Sequence, residues 1–327
     1  MDDATKEALC RHYGFGSVLD CTRLGGTRNH NFLVHTSAGK WFVRRRFLGY
    51  CHPARVAFDN CVLEFLCEHG VPVIPPRKTA AGAQQWRDGD HVWQVFPFVA
   101  GRAPREGSPG DAEALGAALA HCHEVGASFP LNYDKLGPRG ETGPSLMLNQ
   151  AGEIERDSPD CAAPLLRYRD WIASAQQSLS DALFSSLPHT LVHGDIQPAN
   201  ILVHRGRVAA FVDLDWCAWR PRIYDLAFAV LFCCSTHETP IQGADIWSLT
   251  QPPRVEMRVV EAFMKTYQDR APRLGNEEFR AFEAQVALTW CHCRLAGALK
   301  VAPDDRARFL SRGPHSVDQL FPGLPTA

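Results

Sequence analysis

The sequence lacks any long apolar run: no window of its 327 residues approaches 18 apolar positions in a row, which excludes a membrane-spanning helix. An excess of one charge is also missing. Lys and Arg total 34 against 36 Asp and Glu, a formal net charge of −2, so there is no basic footprint for holding nucleic acid. MDDATKEALC, the opening stretch, is acidic and polar where a secretory leader needs basic and then apolar residues. Cysteine is present, but its spacing is not that of a metal site. The 12 cysteines are scattered, with no repeated CxxC pair and no zinc-finger interval. HCH at 121–123 and CHC at 291–293 come nearest, yet adjacent helical residues point about 100° apart, so neither triplet closes on a metal alone. Incidental or buried thiols in a reducing cytoplasm are the expectation, with a metal joining the two triplets as the alternative.

Residues 17–48 alternate and break like strands, with Gly25, Gly26 and Gly39 at turn positions. From Pro53 to Gly70 the period becomes helical, with Val56, Asp59, Val62, Leu63 and Leu66 on one side. WRDGDHVWQVFPFVAG predicts a hairpin turning near Asp88 and Gly89. After GRAPREGSPGD the pattern predicts helices over 112–125, 165–187, 223–234, 254–270 and 277–298, while 126–163, rich in Gly, Pro and polar residues, predicts a long surface loop. A second hairpin, NILVHRGRVAAFVDLDW, turns at Arg205 and Gly206. The fold class expected is α+β and bilobal. A small antiparallel-sheet lobe with one helix occupies 1–100, and a larger, mainly helical lobe occupies 101–327, with a connector near 96–104.

LVHGDIQPANILV, residues 191–203, places His193, Asp195 and Asn200 inside an otherwise apolar run. An unpaired buried carboxylate costs several kcal/mol, on the order of its desolvation penalty, so these groups need partners or a task. Folding the second hairpin brings Asp195, Asn200 and Asp213 to one end. An Asp with an Asn amide oxygen suits Mg²⁺, which takes hard oxygen ligands and keeps positions for phosphate and water. A separate Asp nearby suits the acceptance of a hydroxyl proton.

HGDIQPAN, then VDLDW, then RIYDLA closely resemble the aminoglycoside phosphotransferase and choline kinase superfamily, relatives of the protein kinases with HxDxxxxN and a later metal-binding Asp. The similarity extends over roughly residues 20–300, with an Asp 18 residues after Asp195 and a third at 225. It implies a protein-kinase-like fold, ATP and Mg²⁺ as cofactors, Asp195 as catalytic base, Asn200 and Asp213 as metal ligands, and His193 and Asp225 as supports of the loop. Asp215 is the competitor for the metal role, and helix capping is the alternative for Asp225. LGGTRNHNFLV, with Gly25, Gly26 and Asn29, resembles the hairpin that covers the phosphates, where glycines let backbone amides approach anionic oxygens. Arg44 takes the position of the phosphate-reaching cation, with Asp59 as its expected ion-pair partner and Glu64 second. Phe96 and Phe98, in the connector FPFVAG, would wall the adenine.

The implied reaction is transfer of the γ-phosphoryl group of ATP to a hydroxyl of a small molecule. The resemblance is nearest to homoserine kinases of the kinase-fold type and to amino-sugar and antibiotic kinases, with nucleosides and amino alcohols also among the candidate acceptors. Trp290 and Arg294, one turn apart on the late helix, are candidates for the acceptor pocket, against the alternative of a core Trp and a surface Arg. A bacterial protein serine/threonine kinase is the alternative function. Against it, only 11 residues separate Asp213 from Asp225, with no APE-like sequence. A silent nucleotide-binding protein would have lost the base or a metal ligand. No nucleic acid or membrane partner is expected, and the protein would be a cytoplasmic monomer or homodimer.

Overall fold

The computed structural model describes residues 1–26, 28–130, 143–239, 241, 245–314 and 319. It opens on helix α1 (Asp3–Tyr13), which the sequence reading did not anticipate. Asp2 caps it by accepting from the Thr5 N–H at 2.8 Å, and Gly14 ends it in the left-handed region at φ 61°. Only Leu9 and Tyr13 of α1 are buried, too few to show a helical period. They pack with Phe15, Phe32, Val34, Val43, Trp93 and Val95 against one face of an antiparallel sheet. That sheet comprises β1 (Val18–Leu24), β2 (His30–Thr36), β3 (Gly39–Arg45), β4 (Trp86–Asp88) and β5 (His91–Pro97), in the order β1-β2-β3-β5-β4. Helix α2 (Pro53–Glu68) buries Val56, Asp59, Val62, Leu63 and Leu66, the face its periodicity predicts.

The chain then becomes mainly helical. The long helices are α3 (Pro109–Gly126), α4 (Pro144–Asp157), α5 (Ala162–Ser178), and, later, α7 (Ile223–Phe232), α8 (Met257–Gln268) and α9 (Asn276–Ala298). The expected helix over 165–187 is two, because Ser180 accepts from the Leu183 N–H at 3.2 Å and starts α6 (Asp181–Ser186) anew. The expected loop over 126–163 contains α4, whose Met147, Ala151 and Ile154 recur at helical spacing and are fully buried. Residues 131–142 of that stretch lie outside the described residues. Helix α8 begins later than predicted, because Arg254 and Val255 pair as a short strand with Ser235 and Thr236. No helix among the described residues is long and apolar enough to cross a membrane, and all twelve cysteines are free thiols.

Two small ribbons sit inside this helical part. β6 (His189–Val192) pairs with β9 (Ala218–Pro221), and β7 (Ile201–His204) with β8 (Arg207–Phe211). The β7–β8 turn puts Arg205 at φ 49° and Gly206 at φ 74°, the two positive values that a tight two-residue hairpin needs. The connector is stitched to this hairpin by reciprocal bonds between Arg102 and Val203, at 3.0 and 2.7 Å. Phe211 donates its N–H to the Pro72 carbonyl at 2.7 Å. Sheet, connector and hairpin therefore frame one cleft.

Candidate active site

The segment between β6 and β7 is held from behind by a buried carboxylate. Asp225, in the first turn of α7, accepts from the N–H groups of His193 at 2.6 Å and Gly194 at 2.8 Å, and from His123 Nε2 at 3.2 Å. Burial alone would raise its pKa, but His123 and these amide donors outweigh that and leave it below the ordinary carboxylate range. His123 is itself fixed by the Tyr267 hydroxyl at 2.9 Å. His193 donates from Nε2 to the Val212 carbonyl at 2.9 Å, and its Nδ1 accepts from the Asp195 N–H at 3.3 Å. Both ring nitrogens are thus committed, consistent with a brace. Gly194 has φ 83°, and a Cβ there would stand 2.3 Å from the Trp216 carbonyl oxygen, so only glycine fits. The loop is gripped from both sides, and Asp195 projects into the cleft.

Asp195 and Asn200 meet directly. Asn200 Nδ2 donates to the Asp195 side chain at 2.8 Å and to its carbonyl at 2.9 Å, and Gln197 donates to the same carboxylate at 2.8 Å. Burial pushes the Asp195 pKa up, against the pull of the Lys300 charge and of the Gln197 and Asn200 donors. Because Asn200 points its amide hydrogens at Asp195, its Oδ1 is left for a cation.

Asp213 follows β8 in the left-handed region at φ 63°. Its Oδ1 is buried and has no hydrogen-bond partner among the described residues. That same oxygen lies in a 3.4 Å ion pair with Arg44 Nη1, which is also 3.4 Å from Asp215 Oδ1. Burial pushes the Asp213 pKa up to about 7, with Arg44 opposing and Asp215 and Asp195 reinforcing the rise. A buried carboxylate oxygen that makes no hydrogen bond and has only a 3.4 Å arginine contact, on the same cleft as the Asn200 amide oxygen, fits a divalent cation that takes two protein ligands and fills its other positions from phosphates and water. Among the described residues no three His, Cys, Asp or Glu converge to hold a metal unaided.

Asp215, the competitor for the metal role, is differently placed. It is buried, accepts from Asn29 Nδ2 at 2.6 Å, and lies 3.6 Å from Arg46 as well as against Arg44. Its backbone carbonyl accepts from Arg55 at 2.8 Å. The carboxylate is enclosed by donors within the fold.

These groups line a cleft of about 600 Å³, together with Gly25 and Gly26 at the β1–β2 turn and Phe96 and Phe98 from the connector. A Cβ on Gly26 would meet Asn31 Nδ2 at 2.8 Å and the Asn29 carbonyl at 2.9 Å, so that turn has no room for a side chain. Thr27 lies outside the described residues. Arg44 lies over the rings of Phe42 and Phe96, at 5.7 and 5.8 Å. Asn29 also lines the cleft, but its Nδ2 holds Asp215 while its Oδ1 accepts from the Phe47 N–H at 2.9 Å. Both ends of its amide are used within the protein.

Two expectations need correction. Asp59 pairs with Arg46, in a short, buried contact, and not with Arg44. Strand alternation puts both arginines on one face, but Arg46 is the one beside α2, linked through Gln94 at 3.4 Å and from there to Asn60 at 2.8 Å. Glu64 pairs on the surface with Lys78 at 3.2 Å. Trp290 and Arg294 do not line the cleft. Both are almost wholly buried, and Arg294 donates to the Phe309 carbonyl and, at 3.4 Å, to the Tyr168 hydroxyl. At 100° per residue, positions 290 and 292 fall on opposite sides of a helix. The cleft is lined instead by His292, Cys293, Ala296 and Lys300; the CHC triplet had drawn His292 and Cys293 only toward a metal, and no motif marked Ala296 or Lys300. Arg46 was detectable only as the next residue on the Phe42–Arg44 face.

Comparison with known proteins bears on the family and the fold. A homoserine kinase of Parvibaculum lavamentivorans is 25% identical over 246 residues, covering 72% of this chain and 70% of the relative. Among solved structures, an amicoumacin kinase in complex with AMP-PNP and Ca²⁺ superposes with a TM-score of 0.67 at 16% identity, over 98% of this chain and 97% of the other. A spectinomycin phosphotransferase in complex with ADP and spectinomycin also gives 0.67, at 14% identity and the same coverage of each chain. These likenesses place the protein-kinase-like α+β fold. The family model described as "Phosphotransferase enzyme family" matches residues 20–263, and the chain belongs to that family.

Proposed function

We propose that this phosphotransferase moves the γ-phosphoryl group of ATP, held with Mg²⁺, to a hydroxyl of a small molecule, with Asp195 as the base. The acceptor oxygen forms the new bond to phosphorus, the bond from phosphorus to the ADP oxygen breaks, and the hydroxyl proton passes to Asp195. In this reading Asn200 Oδ1 and Asp213 hold the ion. The ion, when bound, supplies charge neutralisation on the phosphate oxygens. Arg44 reaches the phosphates from β3, Gly25 and Gly26 let backbone amides close over them, and Phe96 and Phe98 wall the base. Residues up to about 100 serve the nucleotide, and the helical remainder serves the loop and the acceptor. The observation that carries the reading is the meeting of Asp195 with Asn200 at 2.8 Å, on one cleft with an Asp213 oxygen that makes no hydrogen bond and faces Arg44 at 3.4 Å.

Acceptor-stimulated ADP release and calorimetric MgATP binding test it. Asp195→Ala should lower turnover by about 10²–10⁴-fold, the usual worth of a positioned base, while MgATP still binds. Asp213→Ala should abolish the Mg²⁺ dependence of ATP binding. Retained metal dependence in that variant would move the ligand role to Asp215. Loss of the fold in Asp195→Ala would show that carboxylate to be structural.

A further inference from the structure

Beyond Asp195 the cleft is walled by Phe228 and Phe232 of α7, by Ile246, and by His292, Cys293 and Ala296 of α9, with Lys300 just past the end of that helix. The carboxylates that line the cleft among the described residues are Asp59, Asp195, Asp213 and Asp215. Asp59 and Asp215 are engaged by arginines, and Asp213 is at the proposed ion site, so among the described residues the acceptor wall has no carboxylate of its own except the base. Its charges are positive. The Lys300 ammonium has no ion-pair partner among the described residues, and the buried Arg220 stands behind the wall, 4.7 Å over the Tyr224 ring.

His292 adds a second, independent feature. It is 8% exposed, it lines the cleft, and its Nδ1 has no hydrogen-bond partner among the described residues. Burial, with Arg220 and Lys300 adding to it, pushes its pKa down to about 3, so the ring is uncharged at neutral pH. Among the described residues, a wall of aromatic and small side chains with one uncharged imidazole and one ammonium in no ion pair has nothing to pair with several ammonium groups. It suits a ligand that brings the negative charge itself.

We propose that this wall is an acceptor subsite for a compact alcohol bearing one anionic group, with the Lys300 ammonium pairing that group and His292 offering an uncharged polar contact beside it. The proposal rests on the kinase reading and names its acceptor class. Compactness follows from a cleft of about 600 Å³ that must also hold a nucleotide.

The test measures acceptor-stimulated ADP release, and acceptor binding by thermal shift with AMP-PNP and Mg²⁺ present. The probes are L-homoserine, homoserine amide, glycerol 3-phosphate, 1-amino-2-propanol and kanamycin. Homoserine and its amide differ in the anionic group alone, and glycerol 3-phosphate asks whether a phosphate replaces a carboxylate. The wild-type protein should prefer an anionic probe to the amide. Lys300→Met should raise the KM for that probe about tenfold or more, as loss of one charged contact does, and leave the KM for the amide in place. Lys300→Glu should reverse the preference toward 1-amino-2-propanol. Turnover of kanamycin or 1-amino-2-propanol in preference to every anionic probe would overturn the subsite and leave the kinase reading standing. So would an acid-to-amide ratio that Lys300→Met does not move, or the absence of binding by any anionic probe to a protein that binds MgATP. Failure to bind MgATP would instead remove the kinase reading itself.

Discussion

On the nucleotide side of the cleft the buried charges are paired within the fold: Asp59 with Arg46, and Asp215 with Asn29, Arg44 and Arg46. On the acceptor side Lys300 has no ion-pair partner and His292 Nδ1 no hydrogen-bond partner among the described residues. The cost of gathering charges away from water is therefore met at folding on one side and left to the ligand on the other. A ligand that is the same in every turnover, a nucleoside triphosphate, rewards a preformed network. An acceptor whose identity differs between relatives is held by residues that can change without undoing the fold.

The contrast breaks most completely if the carboxylate behind the loop is removed. Asp225→Ala would strand the amides of His193 and Gly194, together with His123 Nε2, in a position that is 0% exposed. Each orphaned buried group costs about 1–3 kcal/mol, so a loss of about 3 kcal/mol or more is expected in denaturant unfolding, with activity lost at assay temperature. A change below about 1 kcal/mol would mean that the loop does not depend on this grip.

The next largest effect separates two arginines on one strand. Asp59→Ala leaves Arg46 buried with its main partner gone, which should cost about 3–5 kcal/mol, as for other broken buried pairs. Replacing both Arg46 and Asp59 with apolar residues should recover much of that. Arg44→Met, which leaves Asp215 still held by Asn29 and Arg46, should cost less stability than Asp59→Ala and weaken MgATP binding about tenfold or more, since a charge-assisted contact to phosphate is lost. Equal effects of Asp59→Ala and Arg44→Met on both readouts would erase the distinction between a structural and a ligand-facing arginine.

Proton linkage at Asp213 gives a smaller, graded effect. With its folded pKa near 7, above the ordinary 3.8, the native protein binds this proton more tightly than the unfolded chain. Asp213 therefore lowers the stability of the metal-free protein as pH rises from about 4 to 7. A cation must displace that proton, so Mg²⁺-dependent ATP affinity should fall about tenfold for each pH unit below 7 and level off above it. Calorimetry from pH 5.5 to pH 8.5 reads this directly, and a flat profile would place Asp213 away from the ion.

What was legible in the sequence follows the same division. Asp195, Asn200 and Asp213 stood out because charged residues interrupted apolar strands at fixed spacing, and a local hairpin was enough to bring them together. The sheet and the other long helices were legible from period. Helices α1 and α4 were not, because α1 buries only two side chains and α4 lies wholly in a stretch whose Gly and Pro content mimics a loop. The Arg46–Asp59 pairing depends on which strand residue stands beside α2, a tertiary fact. Lys300 belongs to no motif, His292 stood out only in the CHC triplet, and Trp290 and Arg294, being larger, drew attention to the wrong side of α9.

The smallest effect sharpens the comparison most cheaply. Asp59 and Glu64 are both carboxylates of α2, and the sequence offered either as a partner for a strand arginine. The fold buries Asp59 at 5% exposure and leaves the Glu64 side chain 38% exposed beside a Lys78 side chain that is 61% exposed. Water screens the second pair and both side chains give up conformational freedom to form it, so exposed pairs of this kind contribute about 0–1 kcal/mol. Glu64→Ala should therefore change unfolding by less than about 0.5 kcal/mol and leave the MgATP isotherm superimposable on the wild type. A measurable loss of nucleotide affinity in Glu64→Ala would mean that α2 engages the phosphate site through its outer face, and Asp59 would then lose its standing as the helix's link to the cleft.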